Sequence, residues 1–68
     1  MFASYHTAIY QVANYYNEMA IQYADVNYED QLLMFLKGAI FAVSKVYGVN
    51  QNRVKEDIRK AIQIFDKD

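Results

Sequence analysis

The fold is decided by residues 2–26, which read FASYHTAIYQVANYYNEMAIQYADV. Apolar side chains recur along this stretch at alternating spacings of three and four residues. The series is Phe2, Tyr5, Ile9, Val12, Tyr16, Met19, Tyr23 and Val26. This spacing presents one apolar face on a helix and is typical of the seam of a coiled coil. We therefore predict a long N-terminal helix over about residues 2–24, with a heptad-like seam.

Two further helices follow, and polar or flexible residues mark their ends. Asn27 is a favourable N-cap for a second helix over about 28–47, and Gly48 can take the left-handed conformation that ends it. Asn50 is the next cap, before a third helix over about 51–65. Because the chain has no proline to interrupt these segments, we predict an all-α three-helix bundle.

The length of 68 residues predicts one helical domain over 1–68. A chain this short buries a small core and needs very good packing, a covalent or metal link, or a partner. There is no cysteine, and His6 is the only histidine, which excludes disulfide bonds and a His- or Cys-based zinc site. We therefore expect the bundle to be completed by self-association.

The apolar stretches are too short for a membrane span, and the N-terminus lacks the basic and apolar regions of a signal peptide. The sequence thus predicts a cytoplasmic protein without a membrane partner. The abundance of Asn, Tyr, Ile and Lys is typical of an AT-rich genome and suggests a small bacterial or phage protein.

Apolar residues lie on more than one face of the first two helices. With 100° per residue, Tyr10 and Ile21 fall roughly opposite the seam of the first helix. On the second helix, Met34 and Phe41 fall outside a wide apolar arc, whereas the third helix has one apolar stripe and a polar outer face. A second apolar face must meet water or a partner. We expect Tyr10, Ile21, Met34 and Phe41 to form a protein interface, with a second copy in a homodimer or with another protein.

The segment around Gly48 allows a different interpretation. It resembles the helix-turn-helix of bacterial repressors through Gly48, Val49, Asn50, Val54 and Ile58. The resemblance covers about 15 residues and implies that the third helix contacts DNA. The candidate contact residues are Gln51, Asn52, Arg53, Lys55 and Arg59. The net charge of −1 and the interspersed acids count against DNA binding. The other interpretation is a structural corner of the bundle, with an Arg53–Asp57 ion pair.

No pattern of catalytic, cofactor-binding or metal-ligating residues is found in the sequence. There is no phosphate-binding glycine loop, no nucleophile motif and no paired carboxylates at the spacing of a helical di-metal site. We therefore expect no enzyme, no cofactor, no metal and no small-molecule substrate. The function that the sequence favours is a small protein–protein interaction module that self-associates or acts as an adaptor, inhibitor or regulator. The alternative is a DNA-binding regulator.

Overall fold

The structure is a computed structural model that describes residues 3–22 and 29–66. The described residues form three α-helices: α1 is Tyr5–Gln22, α2 is Glu29–Tyr47 and α3 is Gln51–Asp66. They contain no strand. The all-α, three-helix prediction is thus confirmed for this part of the chain. The predicted cap at Asn27 lies outside the described residues.

The first helix begins three residues later than predicted, at Tyr5, because Ser4 caps it. The backbone N–H of Thr7 donates to Ser4 Oγ at 3.2 Å, and the N–H of Ala8 donates to the Ser4 carbonyl at 2.9 Å. A serine in this position satisfies one of the N–H groups that the first turn leaves without a partner. This cap was not predicted, because the apolar repeat in the sequence continues back to Phe2.

The corner between α2 and α3 follows the predicted residues closely. Gly48 has a φ of +67°, the left-handed conformation, and its N–H donates to the Ser44 carbonyl at 2.9 Å. The Ser44 hydroxyl donates to the Val49 carbonyl at 2.6 Å. Asn50 Oδ1 accepts from the N–H of Asn52 at 2.8 Å and so caps α3. The chain direction turns by 119° between the two helices.

The directions of the helices follow from contacts at their two ends. Tyr5 lies against Asp57 and Tyr10 lies against Phe65, so α1 and α3 run in the same direction. The Tyr47 hydroxyl donates to the Ala3 carbonyl, and the Tyr15 and Phe35 rings lie 5.2 Å apart between their centroids. The helix α2 therefore runs opposite to α1.

The core lies where the three helices meet, and α1 packs chiefly on α3. Its buried residues are Ile9, Ala13, Val43, Val54, Ile58 and Ala61. Ala13 and Val54 are fully buried, because the small alanine lets α3 come close to α1. Of the predicted seam, Ile9 is buried, while Val12 and Tyr16 are half-buried. The seam as a continuous repeat stays a prediction, since its two ends lie outside the described residues.

Alanine substitutions at the two glycines should have opposite effects on the free energy of unfolding. Gly48→Ala forces a side chain into the left-handed region and should lower the free energy of unfolding by about 1 kcal/mol. Gly38 lies within α2 at a negative φ, with no atom within 4 Å of an added Cβ. Gly38→Ala should therefore raise the free energy of unfolding by about 1 kcal/mol, through its higher helix propensity. Urea unfolding followed by circular dichroism measures both, and equal effects of the two substitutions would contradict this account of the corner.

Candidate functional site

An open groove of about 680 Å³ lies between α2 and α3, with Tyr16 of α1 also lining it. We call this feature the groove. Its apolar lining residues, besides Tyr16, are Leu33, Leu36, Ile40, Phe41, Ile58 and Ile62. On α2 these residues follow the helical spacing of three and four, so one side of the helix forms one wall. The other wall is the side of α3 that faces α2.

The polar residues that line the groove are basic or neutral. They are Lys37, Gln51, Asn52, Lys55 and Arg59, and all five are exposed. No Asp or Glu of the described residues lines it. The nearest acid to Arg59 is Glu56 of the same helix, at 3.9 Å, and both side chains are more than half exposed. Such a pair is screened by water and leaves Arg59 available to a partner. We call the apolar lining residues the floor of the groove, and Lys37, Lys55 and Arg59 its positive rim.

Two of the four predicted interface residues lie together on the outer side of α2. Phe41 is 55% exposed and lines the groove, with the Lys45 ammonium 5.4 Å from its ring centroid. Met34 is 73% exposed and two helical turns earlier on the same face. These two residues share the surface directly opposite the buried Leu32 and Val43, as their predicted place outside the apolar arc implied.

The other two predicted interface residues lie elsewhere. Tyr10 is 47% exposed, and its ring meets that of Phe65 edge to face at 6.3 Å. Ile21 is 79% exposed and is the last residue but one of α1. Neither residue lines the groove. All four side chains are therefore exposed as expected, but the structure does not bring them into one patch.

The five candidate nucleic-acid contacts do not all lie on the same side of α3. The groove is lined by Gln51, Asn52, Lys55 and Arg59 but not by Arg53. Arg53 Nε is 3.7 Å from Asp57 Oδ2, as the spacing predicted, and the same oxygen accepts a hydrogen bond of 2.7 Å from the Tyr5 hydroxyl. Arg53 thus lies beside the Tyr5–Asp57 hydrogen bond, although its side chain is 72% exposed.

The sequence analysis missed several exposed apolar residues. Ile64 is 54% exposed, so the outer face of α3 is less polar than predicted. Leu33 and Val46 are also more than half exposed. In the helical projection Val46 lies inside the wide arc of α2, whereas Leu33 lies at one of its edges. That position was a usable signal, because a neighbouring helix covers only part of a wide arc.

Comparison with protein-family models, with curated proteins and with solved structures finds no match to this chain. Within the described residues, no single helix combines the length and apolar character needed to cross a membrane. Only α2 and α3 taken together, as a pair bent by 119°, meet that requirement by length and composition.

The Tyr5–Asp57 hydrogen bond predicts a pH dependence of stability. Burial, and then the hydrogen bond and the negative charge of Asp57, raise the pKa of Tyr5 from 10.0 to about 12. Because the folded chain holds this proton more tightly than the unfolded chain, the stabilisation is complete below pH 10 and is lost as the pH rises towards 12. Tyr5→Phe should lower the free energy of unfolding by about 1 kcal/mol at neutral pH.

The measurement is urea unfolding of the wild type and of Tyr5→Phe at several pH values. The difference between the two should be constant up to pH 10 and shrink above it. Tyr15→Phe is the control, because that ring is exposed and a loss of its hydroxyl should have little effect at any pH. A difference that stays constant across the alkaline range would show that the Tyr5 hydroxyl does not interact with Asp57.

Proposed function

We propose that this chain is a non-enzymatic protein–protein interaction module that binds an acidic, amphipathic helix of another protein in the groove. The observation that carries this proposal is the combination of an apolar floor with a rim of basic residues. The floor favours apolar side chains as ligands, and the rim favours negative charge around them.

The apolar floor favours a protein segment over other anionic partners. Leu33 and Phe41 are each 55% exposed in the groove and leave much apolar surface in contact with water. Full burial of one such side chain is worth about 1.5–3 kcal/mol. The sugar–phosphate backbone of a nucleic acid gains little from such a floor, whereas leucine or phenylalanine side chains of a peptide fill it.

The shape and charge of the groove favour a helix that carries acids. From Leu33 to Phe41 the wall on α2 is about 12 Å long, which matches two turns of a bound helix. Amphipathic helices bind such grooves through apolar residues spaced by three and four. Lys37, Lys55 and Arg59 would then face acidic residues on the flanks of that helix, which speeds association and sets its orientation.

A second candidate function is DNA binding by a helix-turn-helix-like corner. The 119° turn falls within the range of that motif, and the exposed start of α3 presents Gln51, Asn52 and Lys55. However, the side of α3 that carries these residues borders the apolar groove. A bound protein helix would therefore contact both the apolar and the basic residues of the groove, whereas DNA would contact only the basic and polar ones.

The first prediction of the proposal concerns a model peptide. The probe is a fluorescent helical peptide of about 16 residues with leucines at spacings of three and four and glutamates beside them. It should bind with a Kd on the order of 10 μM. Lys55→Glu should weaken binding about tenfold, since it reverses a charge at the rim.

The matched control is Lys60→Glu, the same charge reversal on an exposed residue of α3 outside the groove. It should leave the affinity unchanged, and a peptide with lysines in place of the glutamates should bind poorly. If Lys55→Glu and Lys60→Glu bind the acidic peptide equally well, or if the wild type does not bind it at all, the groove is not a site for an acidic helix.

The second prediction separates protein binding from DNA binding. In a gel-shift assay at low salt, about 50 μM protein should not retard random-sequence duplex DNA, because specific and non-specific DNA binders do so well below this concentration. Retardation that disappears as salt is raised, and that Lys55→Glu removes, would instead establish the second candidate.

A further inference from the structure

We infer that α2 pairs with α2 of a second copy of this chain, antiparallel, through its outer face. The contact surface consists of Asp30, Met34, Gly38, Phe41 and Lys45, which we call the α2 stripe. This inference goes beyond the proposed function, because the stripe and the groove are different faces of α2 that share only Phe41. A homodimer could therefore present two grooves.

The α2 stripe is one continuous exposed face. Its residues follow each other at spacings of four, four, three and four, which place them within one narrow sector of the helix. All five are exposed. Met34 and Phe41 are among the most exposed large apolar residues of the described chain, and Met34 does not line the groove. Together they form the apolar centre of the stripe.

Gly38 lies between these two side chains, and nothing within the described chain requires a glycine there. Its φ is not positive, and an added Cβ would meet open space. A glycine in the middle of a helix destabilises it relative to alanine. A residue without a side chain does, however, let a second helix approach closely at this point. A partner helix on the stripe therefore explains the glycine, whereas the packing of one copy does not.

The charges at the two ends of the stripe favour a second copy in the antiparallel direction. Asp30 and Lys45 are equally far from the midpoint between Lys37 and Gly38, and so are Met34 and Phe41. A two-fold axis through this midpoint places Asp30 opposite the partner's Lys45 and Met34 opposite the partner's Phe41. A parallel pair would instead bring like charges together at both ends, which is unfavourable.

The remaining basic residue near the axis is compatible with this arrangement. Lys37 lies at the flank of the stripe, towards the groove that it also lines. Its long stem can cover apolar surface while the ammonium group stays in water. An isologous contact of this kind uses the same patch on both subunits and closes as a dimer.

The test is the oligomeric state of the full chain by sedimentation equilibrium from about 10 μM to about 1 mM, a range that covers weak homodimers. The wild type should show a monomer–dimer equilibrium. Met34→Asp should weaken dimerisation at least about tenfold, because it places a charge in the apolar centre. Ile64→Asp is the matched control: it makes the same kind of change at an exposed apolar residue of α3 and should leave dimerisation unchanged.

Gly38→Leu tests the close approach without loss of folding. Leucine favours the helix more than glycine does, so this variant should be more resistant to urea and yet dimerise at least about tenfold more weakly. Asp30→Lys and Lys45→Asp should each weaken dimerisation, and the double variant should regain most of the affinity, because the charges then face each other again. This exchange is specific to the antiparallel direction.

Two outcomes would overturn the inference: a chain that stays monomeric over the whole range, or a Gly38→Leu variant that dimerises like the wild type. A monomer that still binds another protein through Met34 would show that the stripe has a different occupant. The failure of this inference and the failure of the proposed function are distinguishable, although the two surfaces share Phe41: Lys55→Glu should dimerise normally, and Gly38→Leu should still bind the acidic peptide.

Discussion

The left-handed turn at Gly48 is the constraint on which the arrangement of the helices depends. It directs α3 away from the line of α2 by 119°, so that α3 packs mainly on α1. Two helices that diverge from a common corner cannot cover each other along their whole length. The groove is the uncovered space between them, and its apolar floor is the part of each helix that a straight hairpin would have buried.

The small core and the exposed apolar surface are two aspects of the same geometry. With only three helices around one centre, each helix has one covered face, and the fully covered residues are few. The helix α2 is apolar over a much wider sector than its neighbours can cover. The apolar residues of α2 that its neighbours leave uncovered lie on two sides: one faces the groove, and the other is the outer side around Met34. Charged residues border both sides. These charges determine which arrangement of charges on a partner each surface favours.

Local features of the structure could be predicted from the sequence, and features that depend on angles between helices could not. The end of α2 at Gly48 and the cap at Asn50 are confirmed, because they depend on backbone chemistry within a few residues. The exposure of Met34 and Phe41 is also as expected, since both lie opposite the covered face.

The groove itself was not predicted. Helical periodicity gives the phase of each apolar residue around its own helix, but not the angle at which the next helix crosses. The apolar arc of α2 therefore included Leu33 and Val46 with the core residues, although both are more than half exposed. For the same reason, the sequence did not show that Lys55 lines the groove and Arg53 does not, although the ion pair of Arg53 with Asp57 was expected from their spacing. The start of α1 was predicted wrongly although it depends on local contacts. The apolar repeat continues past Ser4, so the role of this serine as the N-cap was not recognised.

The packing of α1 on α3 also has a consequence for the order of folding. The first of the three helices to leave the ribosome packs chiefly on the last, and the Tyr5–Asp57 contact joins residues 52 positions apart. The corner between α2 and α3 needs only local contacts and can form early. Contact between α1 and α3 is slower, because it brings together residues that are far apart in the sequence. During synthesis, the part of α1 that packs on α3 therefore remains uncovered until α3 has emerged. A nascent chain of this kind passes through a stage in which this apolar surface is open to chaperones and to neighbouring chains on the same polysome.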